Sequence, residues 1–223
     1  MSYLTGNLDT FIKDKKWGII KKEADYDKII VEAEYDYIHG PINEFFITKK
    51  SEKYGLLDLN GKMVVDFIYE RISEPSEGLI AVKKDGLWGF IDYQGYIKID
   101  FQFGMADYFS EGLCAVKSET ELGAKWGFID TEAKLKIDYI YKEVLPFTEG
   151  LAPVSVEYLW GFIDKNGEVV IDFKFSDVGN FIDGKAKVYG VEWVESDFPV
   201  EDCLFPERVL RYYIDTKGNI IQN

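Results

Sequence analysis

A single histidine, His39, and two cysteines, Cys114 and Cys203, are all that the 223 residues offer in imidazole and thiol groups. His39 falls in a Tyr-Ile-His-Gly-Pro segment without a serine or cysteine frame beside it, so neither a Ser-His-Asp nor a Cys-His arrangement assembles from the sequence. The two cysteines are too few for a disulfide framework or a metal knuckle. Carboxylates are abundant instead: 40 acidic residues against 26 basic ones give a formal net charge of −14. Acid pairs for glycoside hydrolysis are therefore available in number. The most regular acids, Glu32, Asp66, Asp100, Asp138 and Asp172, recur at one position of a repeat, and a recurring carboxylate fulfils a recurring structural role more readily than a unique catalytic one. Stacked, these acids would form a ladder for a cation or a basic protein face, or simply a solvated strand face. No Asp-x-Asp-x-Asp-Gly loop and no Gly-x-Gly-x-x-Gly run is present, so calcium and glycine-cradled phosphate have no sequence support. The expectation is a chain that is not an enzyme and carries no cofactor or metal.

The binding chemistry concentrates in one insertion, from about Tyr189 to Arg208, where Glu192, Trp193, Glu195, Asp197, Phe198, Glu201 and Asp202 set aromatic groups among acids. Trp193 has no repeat counterpart, and an exposed tryptophan in such a place is a candidate hot spot for a protein partner. The net charge repels nucleic acid and anionic membrane surfaces and favours a basic partner.

The elements that position these residues are set by internal repetition. Close copies of Trp88-Gly-Phe-Ile-Asp-Tyr-Gln-Gly95 begin at Trp17, Tyr54, Trp88, Trp126, Trp160 and, in worn form, Arg211. Counting from the tryptophan as zero, Asp falls at +4 (Asp58, Asp92, Asp130, Asp164, Asp215) and Gly at +7 (Gly61, Gly95, Gly167, Gly218). Asp-x-x-Gly between apolar runs predicts a tight turn, with Asp bonding its own backbone and Gly accepting positive φ. The second hairpin strand alternates, as in Ile97, Ile99, Phe101 and Phe103, which predicts one buried and one wet face. Further on, Gly at +24 follows an acid in Glu77-Gly78, Glu111-Gly112, Glu149-Gly150 and Asp183-Gly184. A short strand then returns, so that each unit reads as three strands and an irregular return. Trp88, Trp126 and Trp160, each beside a glycine, are expected to pack in the core.

The Trp-Gly-Phe/Tyr-Ile-Asp-x-x-Gly core followed by Phe-x-Glu-Gly-Leu-x-x-Val resembles the WG-repeat (KWG-repeat) family found mainly in bacteria, from about Phe11 to Ile220. Departures are Tyr54 for Trp, Ala133 for the turn Gly, and the two ends. The resemblance implies a β-rich, non-catalytic interaction repeat. The expected fold is all-β: units of about 34–38 residues, antiparallel β-meanders forming one domain over residues 1–223. An open curved stack is expected in preference to a closed β-propeller, since a blade normally has four strands. No apolar run approaches a membrane span, and the amino terminus lacks a basic start and apolar stretch; with only two cysteines, a cytoplasmic location is expected. The functional expectation is a protein-binding module, in its sharpest form an acidic inhibitor or immunity-type protein (an antitoxin) that neutralises a basic toxin or enzyme, with a carbohydrate or cell-wall ligand module as the alternative.

Overall fold

The structure, a computed structural model, describes residues 7–118, 123–195 and 204–221, without side chains at 191–195 and 204–209. The described residues form 22 strands and no helix. By internal packing the chain divides into two compact units, Met1–Tyr108 and Phe109–Asn223.

In the first unit, β1 (Leu8–Lys13), β2 (Lys16–Lys22) and β3 (Asp27–Tyr35) make a three-stranded sheet. A four-stranded meander follows, of β4 (Tyr37–Ile42), β5 (Phe45–Lys50), β6 (Lys53–Asp58) and β7 (Met63–Tyr69). A second meander has β8 (Arg71–Ile72), β9 (Leu79–Lys84), β10 (Leu87–Asp92) and β11 (Ile97–Phe103), and β12 (Met105–Ala106) ends the unit. The second unit runs through β13 (Leu113–Lys117), β14 (Trp126–Asp130) and β15 (Leu135–Tyr141). It then forms a seven-stranded sheet of β16 (Glu143–Val144), β17 (Ala152–Val156), β18 (Leu159–Ile163), β19 (Val169–Ile182), β20 (Lys185–Glu195), β21 (Leu204–Ile214) and β22 (Ile220–Ile221). All pairings in these sheets are antiparallel, and no sheet closes on itself. The tandem all-β meanders expected from the repeat are therefore present. Each full unit has four strands, one more than the sequence reading counted. The additional strand is β4, of six residues, in the first meander, and later the two-residue β8 or β16, which pairs Arg71 with Lys83 and Ile72 with Val82, or Glu143 with Ser155 and Val144 with Val154.

The Asp-x-x-Gly turns form as their chemistry requires. Asp164 Oδ1 accepts from the backbone N–H groups of Asn166 and Glu168, both at 2.9 Å. Asp58, Asp92, Asp130 and Asp215 make the same pair of bonds. The position three residues after the aspartate has positive φ, 84° at Gly167 and 63° at Ala133, the one of these five turns where alanine replaces glycine. The acid-Gly pairs are a second set of turns: Glu149 and Gly150 both have positive φ, and Thr148 and Leu151 exchange backbone hydrogen bonds across them. This is the mirror-image turn whose twist matches a hairpin.

The glycine of each Trp-Gly pair has a different cause. Between Trp126↔Tyr141 and Phe128↔Ile137 the register shifts, so β15 bulges over Gly127. A Cβ on Gly127 would stand 2.6 Å from the carbonyl oxygen of Ile137. Gly89 and Gly161 meet the backbone of Ile99 and Ile171 in the same way, at 2.7 and 2.6 Å. Only a residue without a side chain lets the strands approach this closely.

The core lies between neighbouring sheets within each unit. In the second unit Phe128, Ile137, Tyr141, Phe147, Val154 and Ile163 form one cluster, and Phe162, Ile171, Phe175, Phe181, Val188 and Ile214 another. Trp126 and Trp160 are half-buried against these clusters, not enclosed in them as the sequence reading expected. Each stands at or next to the start of its strand, at the sheet margin. The fully enclosed aromatic is two residues on, at Phe90, Phe128 or Phe162, where the strand crosses the middle of the sheet. Alternation on the second hairpin strand holds for Ile99 and Phe103, which are buried. It fails at Ile97, the first residue of β11 after the turn, which is 54% exposed.

Candidate partner-binding hairpin

The insertion is a β-hairpin grown out of the last sheet. Its strands β20 and β21 have 11 residues each, against five or six in β9, β13 and β17. Pairing continues outward through Tyr189↔Arg211 and Val191↔Val209 to Glu195↔Leu204. The extra length of each strand is about 20 Å at strand rise. A bulge between Glu192↔Arg208 and Trp193↔Pro206 leaves Glu207 outside the register, and a bulge is where a proline is tolerated within a sheet.

The root of the hairpin is fixed by packing. Ala186, Val188 and Ile214 are fully buried in the cluster around Phe175 and Phe181. Gly190 lies beneath the ring of Tyr212, where a Cβ would come within 3.0 Å of it. The insertion is thus aimed by the core at its base, while its outer half has no counterpart in any other unit.

Of the residues expected to bind a partner, Glu192, Trp193 and Glu195 lie together on the outer half of β20. Asp197, Phe198, Glu201 and Asp202 lie in 196–203, outside the described residues. Residues 191–208 hold six acids, Glu192, Glu195, Asp197, Glu201, Asp202 and Glu207, and one base, Arg208.

The recurring acids Glu32, Asp66, Asp100, Asp138 and Asp172 are all exposed on the wet face of the second hairpin strand. Among the described residues no three metal-ligating side chains come together. His39 is exposed on β4, with Nε2 3.7 Å from Glu74 Oε1 and its ring stacked beside Tyr37. Cys114 is buried in the body of β13.

One set of polar contacts escaped the sequence reading. At two of the +24 glycines the preceding acid reaches across to the equivalent turn of the following repeat. Glu111 accepts from the Gly150 N–H at 3.0 Å, and Glu149 accepts from the Gly184 N–H at 2.9 Å. Lys165 adds an ion pair to Glu111 at 3.1 Å. The acid-Gly dipeptide recurs because it is both a turn and a clasp between successive meanders. Its recurrence at one spacing was visible in the sequence, but its bonding partner, 35 or 39 residues away, was not.

A tandem β-meander protein with a Trp-Gly pair, or Tyr54-Gly55, at the recurring bulge is defined by this architecture, and the comparisons with known proteins agree. The model for the WG containing repeat matches residues 27–54, 54–88, 88–119, 126–160 and 160–189; the chain belongs to that family. No curated protein matches it in sequence. Among solved structures it is similar to "Crystal structure of the eukaryotic initiation factor", with a TM-score of 0.58 at 11% identity over 97% of this chain and 63% of that one. It is similar also to Hsv2p of Kluyveromyces lactis, with a TM-score of 0.52 at 12% identity over 94% and 71%. The form of KlHsv2 whose loop 6CD is replaced by a Gly-Ser linker gives 0.54 at 12% over 94% and 74%. These likenesses show the fold alone.

Proposed function

We infer that the chain is a non-catalytic module that binds another protein through the β20–β21 hairpin, and that the partner is basic. The observation that carries this reading is the hairpin itself. It departs from the repeat in length, its root is locked into the core, and the sequence from 191 to 208 combines Trp193 and Phe198 with six acids. A net charge of −14 would steer a basic surface towards it from beyond contact distance and speed association. The sharpest form of the reading is an inhibitor or immunity-type role in the cytoplasm, in which the hairpin covers and neutralises a basic toxin or enzyme. Bacterial origin belongs to the same proposal.

The test is partner capture by the immobilised chain at about 0.05 M and about 0.5 M salt, where the Debye length falls several-fold, with Trp193→Ala and a variant carrying Asn or Gln at the hairpin acids alongside. A basic protein bound at low salt and weakened by both variants supports the reading. Capture that is indifferent to salt and to the neutralised acids refutes it.

A further inference from the structure

The first unit contains a cleft of about 330 Å³ lined by Lys49, Glu52, Tyr54, Glu70, Arg71 and Lys83. It is a local reversal of sign: three cations and two carboxylates in a chain that is acidic overall. Lys49 is already engaged, with Glu52 at 2.7 Å and its ammonium 5.7 Å from the Tyr54 ring centre. Arg71 and Lys83 are different. They are direct cross-strand partners on β8 and β9, a placement of like charges that weakens a sheet. Among the described residues neither is ion-paired with Glu70 or any other carboxylate.

Comparison with the other repeats shows that this cost is not required by the fold. The position of Arg71 is held by Met105, Glu143 and Asp177 in the units that follow, and that of Lys83 by Lys117, Ser155 and Tyr189. In the second unit the same cross-strand pair is Glu143↔Ser155. Lys117, the lysine equivalent to Lys83, lies over the ring of Trp126 at 5.9 Å, whereas Lys83 lines the cleft. Tyr54, which also lines the cleft, is where the repeat departs from the tryptophan of Trp17, Trp88, Trp126 and Trp160. Three departures from the repeat, or from its usual contacts, therefore meet in one concavity.

We propose that this cleft binds a small phosphate-bearing ligand, with Arg71 and Lys83 holding the phosphate group. An arginine fork presents paired donors to phosphate oxygens, and lysine adds a point charge. The cleft volume is at the lower end for ligand sites, matching free phosphate or a sugar-sized phosphomonoester. Glu70 and the Glu52 end, both acceptors, face the hydroxyl-bearing part of such a ligand. The proposal is independent of the hairpin and its partner.

The test is an amide-resolved NMR titration of the full chain with inorganic phosphate and with ribose 5-phosphate, at ionic strength matched by sodium chloride. Saturable shifts at Glu52, Glu70, Arg71 and Lys83, half-complete at or below about 10 mM, are expected. Arg71→Met and Lys83→Ser, the residues the fold itself uses at these positions in other units, should each weaken binding about tenfold, while Lys117→Ser should leave it unchanged. Saturation by both probes with equal strength identifies free phosphate as sufficient, and tighter binding of the ester identifies a phosphorylated metabolite. Shifts that stay linear, that chloride reproduces, or that survive Arg71→Met overturn the proposal.

Discussion

Gly127→Ala isolates the physical reason for the Trp-Gly pair. Gly127 is not in the left-handed region, so backbone preference alone makes alanine the better strand residue there, by about 0.5–1 kcal/mol. Close contact acts in the opposite direction. The new Cβ would stand 2.6 Å from the Ile137 carbonyl oxygen, 3.0 Å from the Asp138 carbonyl carbon and 3.1 Å from its oxygen. An ordinary carbon-to-oxygen contact is about 3.3–3.6 Å, so β15 must retreat by about 0.7 Å or more against a ladder that holds it. None of these atoms is the end of a flexible side chain. Overpacking of that kind costs about 1–3 kcal/mol. After the conformational offset, a net loss of about 1–2 kcal/mol is expected, a fall in melting temperature of about 2–8 °C for a chain of this size. Thermal and urea melts followed by tryptophan fluorescence read it directly. A Gly127→Ala chain that melts at or above the parent would refute the close-approach explanation, since propensity would then be the larger effect.

The half-burial of the tryptophans reorders their weight. Phe128→Ala, which removes a fully buried ring 5.0 Å from Phe147, should cost about 3–5 kcal/mol, and Trp126→Ala distinctly less in the same urea melts. Glu149→Ala, which leaves the Gly184 N–H without its carboxylate, should cost about 1 kcal/mol; a loss as large as that of Phe128→Ala would contradict a surface clasp. Acid should act through the turn aspartates. The N–H of Glu168, then the backbone and side chain of Asn166, hold the Asp164 carboxyl below the usual carboxylate range, and Asn219 does the same for Asp215. Because these values are depressed on folding, their stabilisation is complete above about pH 4 and is lost as pH falls through the folded values. The melting gap between the parent and Asp164→Ala should therefore shrink as pH falls below that point, and a constant gap would rule this origin out.

Sequence alone was a good guide wherever a residue's role is set by its near neighbours. Asp164 and Gly167 declare their turn because the bonds they make span two to four residues, and Ala133 stood out as the departure it is. Trp126 misled because the size of a side chain signals burial without saying where along a strand the neighbouring sheet ends; Phe128 carried the better signal, being the central residue of its strand. The strands at Arg71–Ile72 and Glu143–Val144 were missed since two residues cannot display a period. The Glu111–Gly150 clasp and the Arg71–Lys83 cleft depend on which turns and strands are brought together, and nothing local encodes that. The expected binding residues are shared between the visible strand, with Glu192, Trp193 and Glu195, and a segment outside the described residues. Their spacing predicted an insertion, but the paired hairpin came from the structure.

The most direct test of the account replaces residues 191–209 with an Asn-Gly turn, so that β20 and β21 close at Gly190↔Leu210 as the shorter hairpins do. Melting should shift by no more than about 4 °C, equivalent to about 1–2 kcal/mol, while capture of the basic protein held by the intact chain at low salt is lost. Undiminished capture by the shortened chain, or no basic protein captured by the intact one, would contradict it.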